Sequence, residues 1–259
     1  MKQSVVVIGI GEIGGVFARG LLRLGHPVFP VTRDMDIQQA AQQCPDPELV
    51  LLSVAEADLS ACLTNIPQVW INKLVLIQNE LLPKDWQTHN IENPTVMSIW
   101  FEKKKGQDAK VLIPSPVFGK HSDSLINALG KLDIPTHKVA NSAELEFELV
   151  RKNVYILTTN ISGLVCGGVV SELWKNNQAL ARQVANEVID IQETLIDKKI
   201  DREKQVSGFI EGIQGDPQHK CMGRSAPARL ARAIVLANEA GLAVPKLREI
   251  AQHNPKTRS

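Results

Sequence analysis

Two sets of residues in this chain have the types and spacing that chemistry needs. The first is Gly9-Ile10-Gly11-Glu12-Ile13-Gly14, three glycines spaced G-x-G-x-x-G. The first glycine permits a tight turn, the second lets backbone approach a diphosphate, and the third lets a helix pack closely on a strand. A helix starting there would offer its unbonded N–H groups and partial positive charge to phosphate oxygens. All six residues are candidate contacts of a dinucleotide. Glu12 brings an anion into the turn, so its side chain is expected to point away. The second set is Lys152 and Asn160. Lys152 stands just before the uncharged stretch Asn153 to Ser171. Desolvated beside Val154-Tyr155-Ile156-Leu157, its ammonium would lose affinity for its proton and could serve as a general acid. Asn160 lies about two helical turns on and about 80° around, loosely on the same side. A buried amide needs partners, and a substrate hydroxyl or carboxylate could supply them. The competing reading of Lys152 is a solvated lysine near a helix start, and the neighbouring Arg151 is expected at the surface.

Elements that could position these residues follow from the apolar pattern. Val5 to Ile8 reads as a buried strand, and Glu12 to Leu24 as a helix with Ile13, Val16, Phe17, Leu21 and Leu24 on one side. Val28 to Thr32, Leu49 to Val54 and Leu74 to Ile77 read as further strands, with helical segments at Ile37 to Gln43 and Glu56 to Asn65 between them. That alternation is the signature of a parallel sheet with crossover helices. Thr95 to Phe101 and Ala109 to Ile113 are expected as sheet-edge strands around a charged turn. Beyond residue 140 the strands stop. Asn141 with Glu144 resembles a capping box opening a long helix through Lys152 toward Ser162. Helices are expected at Ser171 to Ile196, Arg202 to Ile213, Pro227 to Ala240 and Pro245 to Gln252. The expected fold is α/β: a Rossmann-like parallel-sheet domain over residues 1–140, binding the dinucleotide, and an all-helical substrate and catalytic domain over 141–259.

The end of the second strand selects the dinucleotide. An acidic residue there would hold a ribose 2′-hydroxyl, whereas arginine suits a 2′-phosphate. Val31 is followed by Thr32-Arg33-Asp34. Thr32 and Arg33 favour NADP(H) over NAD, with Asp34 read as a cap or turn residue. An ordinary surface arginine is the alternative reading of Arg33.

Composition excludes other classes. The 29 Lys and Arg against 28 Asp and Glu leave a net charge of +1, which removes the electrostatic case for nucleic acid or an anionic membrane as partner. Hydrophobic residues at 44% suit a packed globular chain. The apolar run Val5 to Ile8 is too short for a signal peptide, and the Asn153 to Ser171 stretch is too polar for a membrane span. The four cysteines, Cys44, Cys62, Cys166 and Cys221, are scattered with no C-x-x-C pair. They read as core fillers in a reducing cytoplasm rather than a disulfide or metal framework, and no metal is expected.

These residues together resemble the ketopantoate (2-dehydropantoate) 2-reductase family over nearly the whole chain. The resemblance rests on the glycine turn, Arg33, Gln78-Asn79-Glu80-Leu81, the helix with Lys152 and Asn160, and Gly241-Leu242-Ala243-Val244-Pro245. It implies reduction of a small 2-keto acid by NADPH in a cleft between a Rossmann domain and a helical domain. It further implies Lys152 as general acid, Asn79 touching cofactor and substrate, and Asn160 binding substrate; Ser207 is a loose counterpart of the family's substrate serine. Homodimer formation is left open.

The chain also departs from the family. Ile156 stands where an asparagine is usual. Gly223 to Ala231 contains no counterpart of the glutamate that binds the substrate hydroxyl, so ketopantoate itself is expected to be a poor substrate. Arg224 and Arg229 in that stretch are read as solvated helix charges, with pairing to an anionic substrate group as the alternative. Two rival functions stand beside the reductase: an inactive NADP(H)-binding sensor or scaffold, and a related imine or β-hydroxyacid dehydrogenase.

Overall fold

The computed structural model describes residues 2–254. These form two compact units, one ending at Leu149 and the other beginning at Val150.

In the first unit the strands are short and apolar. β1 (Val5–Ile8), β2 (Val28–Val31), β3 (Val50–Leu52), β4 (Leu74–Leu76) and β5 (Thr95–Met97) pair in parallel. Their connections carry α1 (Glu12–Arg23), α2 (Ile37–Gln43), α3 (Leu59–Thr64) and the short α4 (Pro83–Gln87). β6 (Phe101–Glu102) and β7 (Lys110–Val111) form a separate two-stranded ribbon. β8 (Ser115–Phe118) then returns antiparallel to β5, α5 (Ser122–Gly130) crosses over, and β9 (Thr136–Lys138) pairs parallel with β8. Among the described residues the main sheet has seven strands in the order β2-β1-β3-β4-β5-β8-β9. One face is closed by Val16, Phe17 and Leu21 of α1 with Leu125, Ala128 and Leu129 of α5, packed over Val5, Val7, Leu51 and Val75. Burial of this kind is worth roughly 1.5–3 kcal/mol per large apolar side chain.

The expected α/β architecture is the one observed, with local differences. Residues 95–101 are two strands, not one, and the 109–113 stretch pairs with β6 instead of extending the main sheet. β8, α5 and β9 carry the sheet further than its sequence pattern indicated.

The second unit is helical. α6 (Ser142–Cys166) runs across the division between the units. Its start is held by Asn141, whose Oδ1 accepts from the Glu144 N–H at 3.0 Å, while a Glu144 carboxylate oxygen accepts from the Ala140 N–H at 2.8 Å. α7 (Val170–Asn176), α8 (Gln178–Leu195), α9 (Arg202–Gly215), α10 (Ala226–Glu239) and α11 (Pro245–His253) follow. The single helix expected over 171–196 is broken at Asn177, whose ψ of 34° is non-helical. Asn176-Asn177 is a poor helix pair because both side chains compete for backbone hydrogen bonds.

Candidate functional site

Strand register brings the first set of residues together. Val31, Ile8, Leu52 and Leu76 end their strands in one row. The segments that follow them therefore leave the sheet side by side. β1 lies between β2 and β3, so the chain leaves in opposite directions on its two sides. Such a switch point, at the carboxyl ends of parallel strands, is where open α/β sheets bind ligands.

The glycine turn sits at that point. Gly9 has φ of 89°, and a Cβ there would stand 2.5 Å from the Ser53 carbonyl oxygen. A Cβ on Gly14 would stand 2.1 Å from the Gly9 carbonyl oxygen, so helix and strand touch backbone to backbone. Gly11 differs: nothing lies within 4 Å of where its Cβ would be. It is the N-cap of α1 and has no side chain to cap the first-turn amides. Ile10 is exposed and Ile13 half-buried. The Glu12 carboxylate accepts from the Lys103 ammonium at 3.0 Å, which offsets its charge beside the turn. These residues fit a diphosphate.

Around the turn, Thr32 and Arg33 are exposed immediately after β2. Asp34 lies in the turn closed by the Met35 N–H donating to the Thr32 carbonyl at 3.1 Å, as one of its two expected roles had it, while α2 is capped by Asp36, which accepts from the Gln39 N–H at 2.8 Å. After β4, buried Gln78 donates to the Leu52 carbonyl at 2.8 Å, bracing the β3 and β4 ends together. Half-buried Asn79 donates through Nδ2 to Glu56 at 3.1 Å, and Glu80 turns the chain with φ of 60°.

In the second unit, Lys152, Asn160 and Arg229 are all buried. Burial, and then repulsion from the Arg229 guanidinium, lowers the Lys152 pKa from 10.5 to about 7. Its Nζ lies 5.9 Å from the centre of the Tyr155 ring. Asn160 Nδ2 donates to the Cys221 carbonyl at 3.3 Å, and its Oδ1 accepts from Arg229 Nη1 at 3.1 Å. Both polar atoms of the Asn160 amide thus have a partner within the chain. Ser207 is exposed on α9, whereas Gln205, Gly208 and Phe209 face inward. α9 meets α6 through Arg151, which donates to the Gly208 carbonyl at 3.3 Å and pairs with Glu211 at 2.6 Å.

Solved structures share this fold. A ketopantoate reductase from Staphylococcus aureus, described as dimeric, matches with a TM-score of 0.68 at 15% identity, over 98% of this chain and 99% of that one. The fold is that of the ketopantoate reductases. A 2-dehydropantoate 2-reductase from Methylococcus capsulatus has the same fold at TM-score 0.64 and 15% identity, over 96% of this chain and 94% of that one. So does D-mandelate dehydrogenase, solved with NADH, at TM-score 0.68 and 14% identity, over 98% and 99%. No protein-family model and no curated protein matches the sequence. Among the described residues no helix is long and apolar enough to cross a membrane, and no cluster of His, Cys, Asp or Glu is placed to hold a metal.

Within this ketopantoate reductase fold two arginines differ from their expected placement. Arg151 is buried and bonded rather than at the surface, and Arg229 is buried against Asn160 rather than a solvated helix charge; Arg224 is exposed, as expected. The missed signal for Arg229 was its position on the stripe formed by Ala226, Leu230, Ala233 and Ala237, the buried face of α10.

Proposed function

We propose that the chain is an NADP(H)-dependent oxidoreductase that reduces a small 2-keto acid. The observation that carries this reading is Lys152: a buried lysine with a pKa near 7, in a chain with the ketopantoate reductase fold. A general acid works best when its pKa lies near the working pH.

The residue types assign the roles. The Gly9 to Gly14 turn and the α1 amides would hold the diphosphate, Thr32 and Arg33 the adenosine 2′-phosphate, and Asn79 the nicotinamide half. A nicotinamide cofactor is supported by the neighbour solved with NADH; the choice of NADP(H) rests on Arg33. When bound, the reduced cofactor supplies a hydride to the carbonyl carbon. Lys152 gives a proton from Nζ to the carbonyl oxygen as negative charge grows there. Arg229 pairs with the substrate carboxylate, and Asn160 holds the guanidinium in place through its 3.1 Å bond. Asn79, Asn160 and Ser207 are the further candidates for contacting substrate. Residues 1–140 would thus bind cofactor, and 141–259 substrate. The dimer of one neighbour makes a homodimer the assembly to test.

The test is NADPH oxidation against a panel of small 2-keto acids. We expect turnover of at least one of them and poor turnover of ketopantoate, whose hydroxyl finds no glutamate in 223–231. NADPH binding without turnover of any keto acid would leave the sensor or scaffold in the reductase's place.

A further inference from the structure

The reductase reading uses no cysteine, yet two of the four cysteines meet in the second unit. Cys166 closes α6, and Cys221 lies in the loop before α10. Cys221 packs on the last turn of α6, the turn that carries Cys166, whose own thiol donates to the Ser162 carbonyl at 3.3 Å. The backbone enforces this proximity from both sides. The Cys221 N–H donates to the Gly168 carbonyl at 3.1 Å, just beyond Cys166. On the other side, a Cβ on Gly163 would stand 2.8 Å from the Cys221 Cβ, so only glycine lets the loop lie so close to α6. Gly163 precedes Cys166 by one helical turn on the same face. Lys220 also bridges to Val169, fixing the loop's register against the end of α6.

We propose that Cys166 and Cys221 are a dithiol site that forms a reversible disulfide with a low-molecular-weight disulfide such as oxidised glutathione. Half-buried Cys166 is the entry point and buried Cys221 the resolving thiol. The Cys166 thiolate attacks one sulfur of the small disulfide and expels a thiolate. Cys221 then gives up its proton, and its sulfur attacks the Cys166 sulfur, expelling the second small thiolate, which takes the proton. Two protein thiols are oxidised to one disulfide, and one small disulfide is reduced to two thiols.

The surroundings make the reaction slow. Burial pushes both thiols up, Cys221 to about 12, and the Glu172 carboxylate pushes them further the same way. A small thiolate fraction slows attack, so mildly alkaline solution is the right medium. The bond would be felt beyond the loop, because the Cys221 carbonyl accepts from Asn160, which in turn holds Arg229.

The experiment treats the reduced full chain with oxidised glutathione at mildly alkaline pH and reads intact mass, alkylation and peptide linkage. The expected result is loss of the mass of two hydrogens, a fall from four alkylatable cysteines to two, and one cross-link joining Cys166 to Cys221. Cys44 and Cys62 remain alkylatable, and a reductant restores all four. Cys221→Ser should stop at a glutathione adduct on Cys166. Amide exchange in the 217–225 loop, slower in the oxidised protein than in oxidised Cys221→Ser, provides a readout independent of any activity. A stable glutathione adduct on wild-type Cys166, a bridge to Cys44 or Cys62, or four thiols still alkylatable would each overturn the proposal.

Discussion

Arg229 Nη1 donates to Asn160 Oδ1 across 3.1 Å, joining α10 to α6 two turns beyond Lys152. The same guanidinium repels the Lys152 ammonium, after burial the second cause of its lowered pKa. Arg229→Met is therefore expected to have two effects. Lys152 should hold its proton to higher pH, moving the alkaline limb of kcat/KM upward. The keto acid should bind more weakly, because charge-assisted hydrogen bonds are worth roughly 1.5–3 kcal/mol, or about tenfold to a hundredfold in KM. Rate profiles across pH read both. An unmoved alkaline limb with unchanged KM would remove Arg229 from the site.

Lys152 itself sets activity against stability. Lys152→Ala should lower turnover about 10²–10⁴-fold with little change in NADPH affinity, the usual scale of general acid catalysis. A loss below about threefold would exclude the lysine as the acid. In the wild type, turnover should fall as pH rises through about 7 and Nζ loses its proton.

The same lowered pKa has a cost in folding. Below about 7 both folded and unfolded chains carry the proton, and the folded state bears the full penalty of a buried charge. Between about 7 and 10.5 the unfolded chain binds more protons, so stability rises with pH. Lys152→Met should thus melt higher than the wild type at neutral and lower pH. Its advantage should shrink as pH approaches 10.5. An advantage independent of pH would mean that packing, not charge, is responsible.

How much of this was legible in the sequence depends on how local the determinants are. The Gly9 to Gly14 turn could be read because its three requirements lie within six consecutive residues between a strand and a helix. β8 could not, because Pro116 interrupts its pattern and its placement depends on Val96↔Phe118 pairing from another part of the chain. Arg151 and Arg229 were misplaced for a related reason. A lone charge on a helix usually faces water, and only its tertiary partners, Gly208 and Glu211 or Asn160, reveal otherwise. Lys152 was legible through the uncharged residues that follow it, whereas its coupling to Arg229 required the fold.

Two glycines in one turn should respond oppositely to the same substitution. An alanine at Gly14 would place Cβ 2.1 Å from the Gly9 carbonyl, a backbone atom that cannot yield cheaply. Gly14→Ala should cost about 1–3 kcal/mol of stability through forced displacement of α1. Gly11→Ala meets nothing within 4 Å and keeps an allowed backbone conformation, so its melting temperature should match the wild type. Its methyl group would nevertheless stand where the diphosphate must approach, and dinucleotide affinity should fall. Thermal melts and calorimetric titration of both variants test the contrast. Normal NADPH binding by Gly11→Ala would place the diphosphate elsewhere.

The proposed preference for NADPH rests on the residues just past β2. The β1–β2 register sets Val31 against Ile8, so Thr32 and Arg33 leave the sheet beside the glycine turn. A diphosphate held over α1 therefore directs the adenine ribose toward them. Arg33 is exposed, and its guanidinium can grip a 2′-phosphate with hydrogen bonds that NADH does not provide. Such bonds are worth roughly 1.5–3 kcal/mol, about tenfold to a hundredfold in affinity. Exposed Asp34 repels the same phosphate, so the preference for NADPH should lie near tenfold. Asp36, not Asp34, caps α2, so removing the Asp34 charge leaves that cap intact. Arg33→Ala should abolish the preference, and Asp34→Asn should widen it. Calorimetric titration of NADPH and NADH into the three proteins reads each value. Equal affinities in the wild type, with Asp34→Asn weakening NADH, would make Asp34 the ribose ligand and the cofactor NAD.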